Sequence, residues 1–503
     1  MKVLFFAKGS EYIGIEYLSA ILKREGHEVD LIFDPGFDVL FGFIDLPILK
    51  KVVSKKSILK RIEEIKPDLI AFSCMTNLFP YVKEMADLIK SIYTIPIIVG
   101  GIHPTQMPEL VISHPSIDMI CRGEGDEAMV ELLNRMESKQ DITSIKNIWV
   151  KTDGKISKND LRPLFEDLDF LPFPDRDLFY KFGTFVGSVA MNTGRGCPFK
   201  CTFCYNHSYQ KLYKGKGHYV RRLSVDSVIE DAKLCKEKYK PENFIFFDDT
   251  FTLNPSWIAE FSKIYTREIG IPFFCNVRPH TLSKQLIKNL KKAGCSAMFL
   301  GLDSGSDFIR NQIMERGLTQ AQIIRDAALI REHGIKIITS SIYGLPNETP
   351  EMMWETLELT LKVRPDGVNS FIFYPFPGTR LAHYAKKEGC LSEDAEERVN
   401  QGEGSFHRQS LLSIPYKDEA EIMKNLTPVV NKSPLLRGLL RFFIKKRLKK
   451  LSMLIYLLTA WFSNSSFGCY YTKQIVKMFT TQMKFKLKRL GGTIITFRGV
   501  SCF

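Results

Sequence analysis

The sequence predicts an α/β protein: an N-terminal doubly wound parallel sheet of Rossmann-like type, a central partial (β/α)6 TIM-like barrel, and a C-terminal, mainly helical basic tail. Three observations predict it. Short apolar runs alternate with helical patterns through residues 1–140, the alternation resumes from Gly187 through six further apolar runs, and every acid disappears from the chain after Lys432. A stretch mixing prolines, acids and aromatics, LRPLFEDLDFLPFPDRDLFY at 161–180, separates the two repeats and reads as a linker. The boundaries that follow are 1–145 for the sheet domain, 146–182 for the linker, 183–395 for the barrel and 396–503 for the tail.

In the first domain, Lys2 to Phe6 (KVLFF) is a buried strand that turns at Lys8 and Gly9. A helical pattern through Tyr17, Leu18, Ile21 and Leu22 follows, and Gly26 stops it. Further strands are predicted at Val29 to Phe33, Asp68 to Ser73, Ile95 to Val99 and Asp118 to Ile120, with helices at Ile58 to Ile65 and Asp126 to Arg135. A parallel sheet of this kind binds ligands beyond the carboxyl ends of its strands. Lys8 to Gly14, Ser73 to Asn77, Gly100 to Pro104 and Arg122 to Gly125 should therefore line one edge.

These turns resemble those of cobalamin-binding domains. Gly9, Ser10, Tyr12 and Gly14 fall where that family carries Asp-x-His-x-x-Gly; the histidine is missing here and Tyr12 lies nearest its place. Ser73, Thr76, Gly100 and Gly101 resemble the turns that enclose the nucleotide tail, and His103 follows the glycine pair on a predicted loop. The resemblance implies bound cobalamin without a protein histidine on cobalt. The alternative is a Rossmann-like domain that binds no cofactor.

The second repeat opens on MNTGRGCPFKCTFCYN, with Cys197, Cys201 and Cys204 at spacing C-x3-C-x2-C. Three thiolates this close can hold three irons of a cubane 4Fe-4S cluster and leave the fourth iron open to another ligand. A zinc site with His207 as fourth ligand is the competing reading. The run resembles the cluster loop of radical S-adenosylmethionine (SAM) enzymes, whose pattern has an aromatic before the third cysteine, here Phe203. The resemblance implies that SAM chelates the open iron and is cleaved reductively to a 5′-deoxyadenosyl radical.

The strand ends that follow resemble that family's motifs in order. Asp248 and Asp249 stand where relatives hold SAM's amino group. Asp303 and Ser304, in Gly-Leu-Asp-Ser-Gly, stand where a carboxylate meets the ribose. Gly344, Leu345 and Pro346 stand in the turn near adenine, and Pro375 to Thr379 matches the turn after the sixth strand. Arg278 and Arg316 could face SAM's carboxylate or the substrate, but read first as surface arginines. Asp-Asp pairs and Gly-Pro turns also occur for geometry alone.

Composition narrows the function. The tail from Lys432 carries +15 of a net +14, which leaves −1 on residues 1–431, so nucleic acid threading a basic core is disfavoured. Eleven cysteines, mostly scattered, argue for a reducing compartment. The first residues read as a strand and not as a signal peptide, so a cytoplasmic protein is expected. In the tail, Leu435 to Lys450 mixes apolar pairs with seven basic residues, and Leu451 to Phe462 is apolar with Trp461 near its end. This segment, 435–462, suits peripheral contact with the inner face of the cell membrane, or a helical lid on the barrel.

Cobalamin beside a radical SAM cluster is most economically explained by methylation of an unactivated carbon in a small-molecule or lipid-like substrate, with a reductant such as flavodoxin or ferredoxin. A cobalamin-dependent radical cyclase, a tRNA methylthiotransferase and a non-catalytic cobalamin-binding protein are the alternatives. Too few N-terminal cysteines and the neutral body weigh against the methylthiotransferase.

Overall fold

The computed structural model describes residues 1–36, 39–40, 44–45, 54–407, 410–462, 477 and 480–481. It divides into two compact units: Met1–Arg162 with Leu171–Val186 and part of the tail, and Pro163–Phe170 with Gly187–Phe462.

The first unit is a seven-stranded sheet. Numbered along the chain, its strands are β1 (Lys2–Lys8), β2 (Glu28–Asp34), β3 (Leu69–Ser73), β4 (Ile97–Gly100), β5 (Met119–Cys121), β6 (Ile148–Thr152) and β7 (Lys155–Ser157). The spatial order is β2-β1-β3-β4-β5-β6-β7, parallel through β5. Both faces are covered, and β1 shows why a continuous apolar run was needed. Val3, Phe5 and Ala7 pack with helices Ile13–Arg24 and Asp126–Glu137, while Leu4 and Phe6 pack with Lys55–Ile65 and Phe79–Lys90.

The stretch read as a linker is more structured than expected. Its start forms β6 and β7, an antiparallel hairpin added to β5, and Asn147 ties it down by donating to the carbonyls of Arg122 and Glu124, 2.9 Å each. Asp153 and Gly154 supply the positive-φ residues of the two-residue turn. The rest of the stretch is shared: 163–170 goes with the second unit and 171–186 with the first.

The second unit holds six parallel strands in sequential order: β8 (Ser188–Met191), β9 (Asn243–Phe246), β10 (Phe273–Val277), β11 (Cys295–Asp303), β12 (Lys336–Tyr343) and β13 (Gly367–Ile372). This is the predicted partial barrel. Phe244, Phe246, Phe251, Phe261, Tyr265 and Phe273 form an edge-to-face aromatic core on one flank.

The tail is part of this unit as far as residue 462. Helix Lys417–Lys432 buries Ala420, Met423, Leu426 and Val430 against Tyr343, Ile372 and Leu357 of the barrel. Helices Arg437–Lys445 and Lys449–Phe462 rest on it. No helix among the described residues is long and apolar enough to cross a membrane. The TIITF run at 493–497 lies outside the described residues.

Candidate active site

The cysteine loop leaves the carboxyl end of β8 and is fixed on several sides. Gly196 has φ +87°, and a Cβ there would sit 2.3 Å from the Tyr219 carbonyl oxygen, so only glycine fits. Thr202 donates its N–H to the Met314 carbonyl (3.1 Å) and its hydroxyl to that of Ile313 (2.7 Å), and Leu381 N donates to the Thr202 carbonyl (2.9 Å). Gln210 Nε2 donates to the carbonyls of Cys197 (2.6 Å) and Phe199 (3.1 Å).

Each sulfur of the loop faces a polar neighbour. Thr250 Oγ1 lies 3.8 Å from Cys197 Sγ, Arg278 Nη1 donates to Cys201 Sγ at 3.5 Å, and Asn206 donates to Cys204 Sγ from backbone and side chain, 3.5 Å each. As bare thiols, Cys197 and Cys204 resist ionisation: burial pushes Cys204 up to about 11 and raises Cys197. Iron binding replaces those protons, and nearby guanidinium groups offset the resulting negative charge. The donor set therefore fits a three-sulfur cluster. Among the described residues no group of three or more His, Cys, Asp or Glu side chains closes on a single ion. A cubane, whose cysteines sit on separate irons, does not ask for such convergence.

Arg278 and Arg316, read from sequence as surface residues, are buried, each 7 % exposed. Arg278 follows β10, stacks over the Phe199 ring at 3.9 Å and donates to the Arg316 carbonyl. Arg316 pairs with Asp303 and donates to the Gly301 carbonyl at 2.9 Å. Burial lowers the Arg316 pKa while the three cysteine sulfurs oppose that shift, which puts this cation beside the cluster loop. An isolated arginine in a sequence carries no signal of this. The only hint was position: Arg278 directly follows β10, and Arg316 follows the loop that leaves β11.

The acidic residues divide. Asp248 spends its carboxylate on the fold: Thr193 donates to it from N–H (3.1 Å) and Oγ1 (2.6 Å), and Arg222 stands 3.7 Å away. Asp249 stays exposed beside Asn206, available to a ligand. Asp303 ends β11 at φ +62°, an uncommon conformation for a side-chain-bearing residue, and accepts from Ser340 Oγ at 2.7 Å as well as from Arg316.

Ser304 turns away from this group. It is fully buried, 3.5 Å from Thr356 Oγ1 on helix Pro350–Val363, and a Cβ on Gly305 would lie 2.1 Å from the Glu355 carbonyl oxygen. That half of the Gly-Leu-Asp-Ser-Gly motif serves packing.

The turn after β12 is shaped by Glu348, which accepts the N–H groups of Gly344 (2.6 Å) and Leu345 (3.1 Å). Burial pushes the Glu348 carboxyl up to about 8. Thr349 caps the next helix by accepting from Met352 N. Gly344, Leu345 and Pro346 are buried, and Phe203 packs into the same apolar cluster as Leu345.

In the first unit, the carboxyl edge of the sheet gathers the other predicted residues. Gly9 turns at φ +87°, while Gly14 has open space around its α-carbon. Tyr12 donates its hydroxyl to the Lys8 carbonyl (2.9 Å). Gly101 has φ 102° and ψ −165°, a region essentially restricted to glycine, and a Cβ there would meet Cys74 N and O at 3.0 Å. Ser73 sits at that turn, its Oγ 3.4 Å from the same point, and Thr76 is buried just beyond.

His103 is fully buried against Phe79, with ring centroids 4.7 Å apart, and neither ring nitrogen has a hydrogen-bond partner. Burial and nearby Lys83 bring its pKa down to about 4, so the ring is neutral. An orphaned imidazole costs ~1–3 kcal/mol, which a ligand's polar group could recover. The edge thus fits a cofactor. Glu16, fully buried, and Glu11, half-buried, which the sequence did not single out, lie together near Arg176, and burial raises both carboxyls.

The chain matches the Radical SAM superfamily over residues 191–360 and the B12 binding domain over residues 10–133. A protein of Pyrococcus horikoshii described as an uncharacterised methyltransferase is 30 % identical over 386 residues, covering 75 % of this chain and 79 % of that one. The anaerobic magnesium-protoporphyrin IX monomethyl ester cyclase of Rubrivivax gelatinosus is 26 % identical over 406 residues, covering 76 % and 69 %. Among solved structures, the radical SAM methyltransferase TsrM of Kitasatospora setae with cobalamin and a [4Fe-4S] cluster aligns with TM-score 0.61 at 17 % identity, covering 78 % and 79 %.

Proposed function

The chain belongs to the radical SAM enzymes that carry a B12-binding domain, and from that premise we propose that it transfers a methyl group to an unactivated carbon of a small molecule. The bound groups supply the difficult chemistry: electron transfer from the [4Fe-4S] cluster to SAM, hydrogen abstraction from substrate, and methyl donation through cobalamin.

The protein's part is to hold and to shield. Cys197, Cys201 and Cys204 take three irons and leave the fourth for SAM. Asp249 accepts from SAM's amino group, Asp303 faces its ribose with Arg316 and Ser340 fixing the carboxylate, and Gly344, Leu345, Pro346 and Phe203 wall the adenine. Asp248 and Ser304 support this rim from behind. Gly9, Ser10, Tyr12, Gly14, Ser73, Thr76, Gly100, Gly101 and His103 hold cobalamin. Orientation of this kind can supply much of a barrier's reduction without any further catalytic side chain.

The substrate is lipid-like in this reading, a flavodoxin or ferredoxin delivers the electron, and segment 435–462 meets a membrane, as argued below. The observation that carries the proposal is the pairing of a three-cysteine loop at the barrel's strand ends with a separate sheet edge containing the orphaned His103. Methyl-labelled SAM tests it. Label recovered in an organic product supports methyl transfer. Turnover with unlabelled product would instead favour the cyclisation described for the Rubrivivax relative.

A further inference from the structure

We propose that helices Arg437–Lys445 and Lys449–Phe462 dock the enzyme on the surface of an anionic lipid bilayer. Each helix uses one face for the fold. Leu440 and Phe443 are buried with Met423, Leu426 and Val430, and Ser452 is buried and accepts from Asn425 Nδ2 at 2.9 Å.

The adjoining faces, about 100° round each helix, are apolar and open. Leu439 and Phe442 lie on the first helix and Leu435 in the 3-10 turn Pro434–Leu436 that leads into it, at spacing i, i+4 and i+7 from Leu435, with Leu435 93 % exposed and Phe442 49 %. Leu451, Leu454 and Leu458 recur at i, i+3 and i+7 on the second, 44–51 % exposed. Residues so spaced share one helical face. Isolated exposed leucines are ordinary, but two such stripes on consecutive helices are not.

Charge selects the occupant. Between Lys432 and Phe462 there are eight Lys or Arg and no Asp or Glu. Some of these cations serve the fold: Arg437 pairs with Glu358 at 3.2 Å, and Lys449 with Asp418 (3.0 Å) and Glu421 (3.1 Å). Lys445, Lys446 and Lys450, around the helix junction, are exposed and make no ion pair among the described residues.

An apolar stripe on helices that carry cations and no acid of their own, with Glu358 and Asp418 of neighbouring elements already paired to Arg437 and Lys449, matches acyl chains beneath anionic headgroups, with lysine stems along the apolar layer and ammonium groups at the phosphates. A two-fold contact with a second copy would set this cationic surface against itself. The longer helix, 14 residues, spans ~21 Å, short of the ~30 Å hydrocarbon core, so it lies along the surface and does not cross.

The test uses the full chain and reads binding, so it stands or fails independently of the reaction. Co-sedimentation with phosphatidylcholine vesicles is compared with vesicles that also contain phosphatidylglycerol. The anionic vesicles should bind at least ~10-fold more tightly, and less so as salt rises. Paired substitution Leu439→Glu with Phe442→Glu, and separately Leu454→Glu with Leu458→Glu, should each cost ~10-fold or more. Lys445→Glu with Lys446→Glu should erase the preference for anionic lipid. All six side chains are exposed, so circular dichroism and iron content should not change. Absence of binding to either vesicle overturns the proposal. So does binding that none of the variants weakens, or a dimer in light scattering that Phe442→Glu dissociates.

Discussion

Asp249 apart, the buried acids and arginines at the barrel's rim are already engaged with one another or with backbone, whereas the ligand edge of the sheet unit keeps a buried polar ring without a partner on either nitrogen. Asp303 holds Arg316 and Ser340, Arg316 faces the cysteine loop, and Glu348 shapes the turn at Gly344. His103, by contrast, is sealed against Phe79 with both nitrogens idle. The difference teaches two ways of building a cofactor site. A rim that must stabilise a charged cluster and a zwitterionic cosubstrate is set electrostatically beforehand. A cleft for a large, mostly uncharged macrocycle can leave its hydrogen bonds to be completed by the ligand.

The largest expected effect separates the two units outright. Cys197→Ala, Cys201→Ala or Cys204→Ala should abolish the iron-sulfur absorption and SAM cleavage, with cobalamin retention unaffected; parallel loss of cobalamin would break the comparison. Next, Arg316→Met leaves Asp303 buried without its cation, and should cost ~3–5 kcal/mol of stability in urea unfolding.

Glu348 gives a pH signature within the barrel. Its folded pKa, about 8, lies above the ordinary carboxyl value, so its contribution is full below about pH 4.5 and is lost as pH rises through about 8. Glu348→Gln keeps an acceptor for Gly344 and Leu345, and should remove a few kcal/mol of that alkaline loss in melting curves at pH 5 and pH 9.

In the sheet unit the expected effects are smaller. Gly101→Ala, forced into a glycine-only conformation, should cost ~1–3 kcal/mol and weaken cobalamin binding. His103→Phe removes the two idle nitrogens. It should leave the empty protein as stable or ~1 kcal/mol more so, while cobalamin stabilises the variant less than the parent in paired thermal melts.

The architecture was legible in the sequence because both repeats bury strands on two faces, so apolar runs and helical periods alternate without ambiguity. What escaped was long-range partnering. Asp248 and Asp249 are adjacent and alike in sequence, yet Thr193 and Arg222, brought by other elements, commit the first to the fold and leave the second open. Arg278 and Arg316 looked like surface residues because nothing local says that Cys201, Phe199 and Asp303 converge on them. The β6–β7 hairpin is different: Asp153-Gly154 between two β-prone runs is a local hairpin signal, and it was overlooked. The tail was expected either to cover the barrel or to meet a membrane. Its helices bury one face against the barrel unit and leave a second, apolar and cationic face open, so the two roles do not compete.

The central claim is that three cysteines hold a [4Fe-4S] cluster with one iron left for SAM. Electron paramagnetic resonance of the anaerobically reconstituted, reduced full-length protein tests it most directly. The account predicts a cluster signal whose g-values shift when SAM is added, and loss of that signal in Cys201→Ala. A protein that takes up zinc in place of iron, or a cluster spectrum indifferent to SAM, would contradict it.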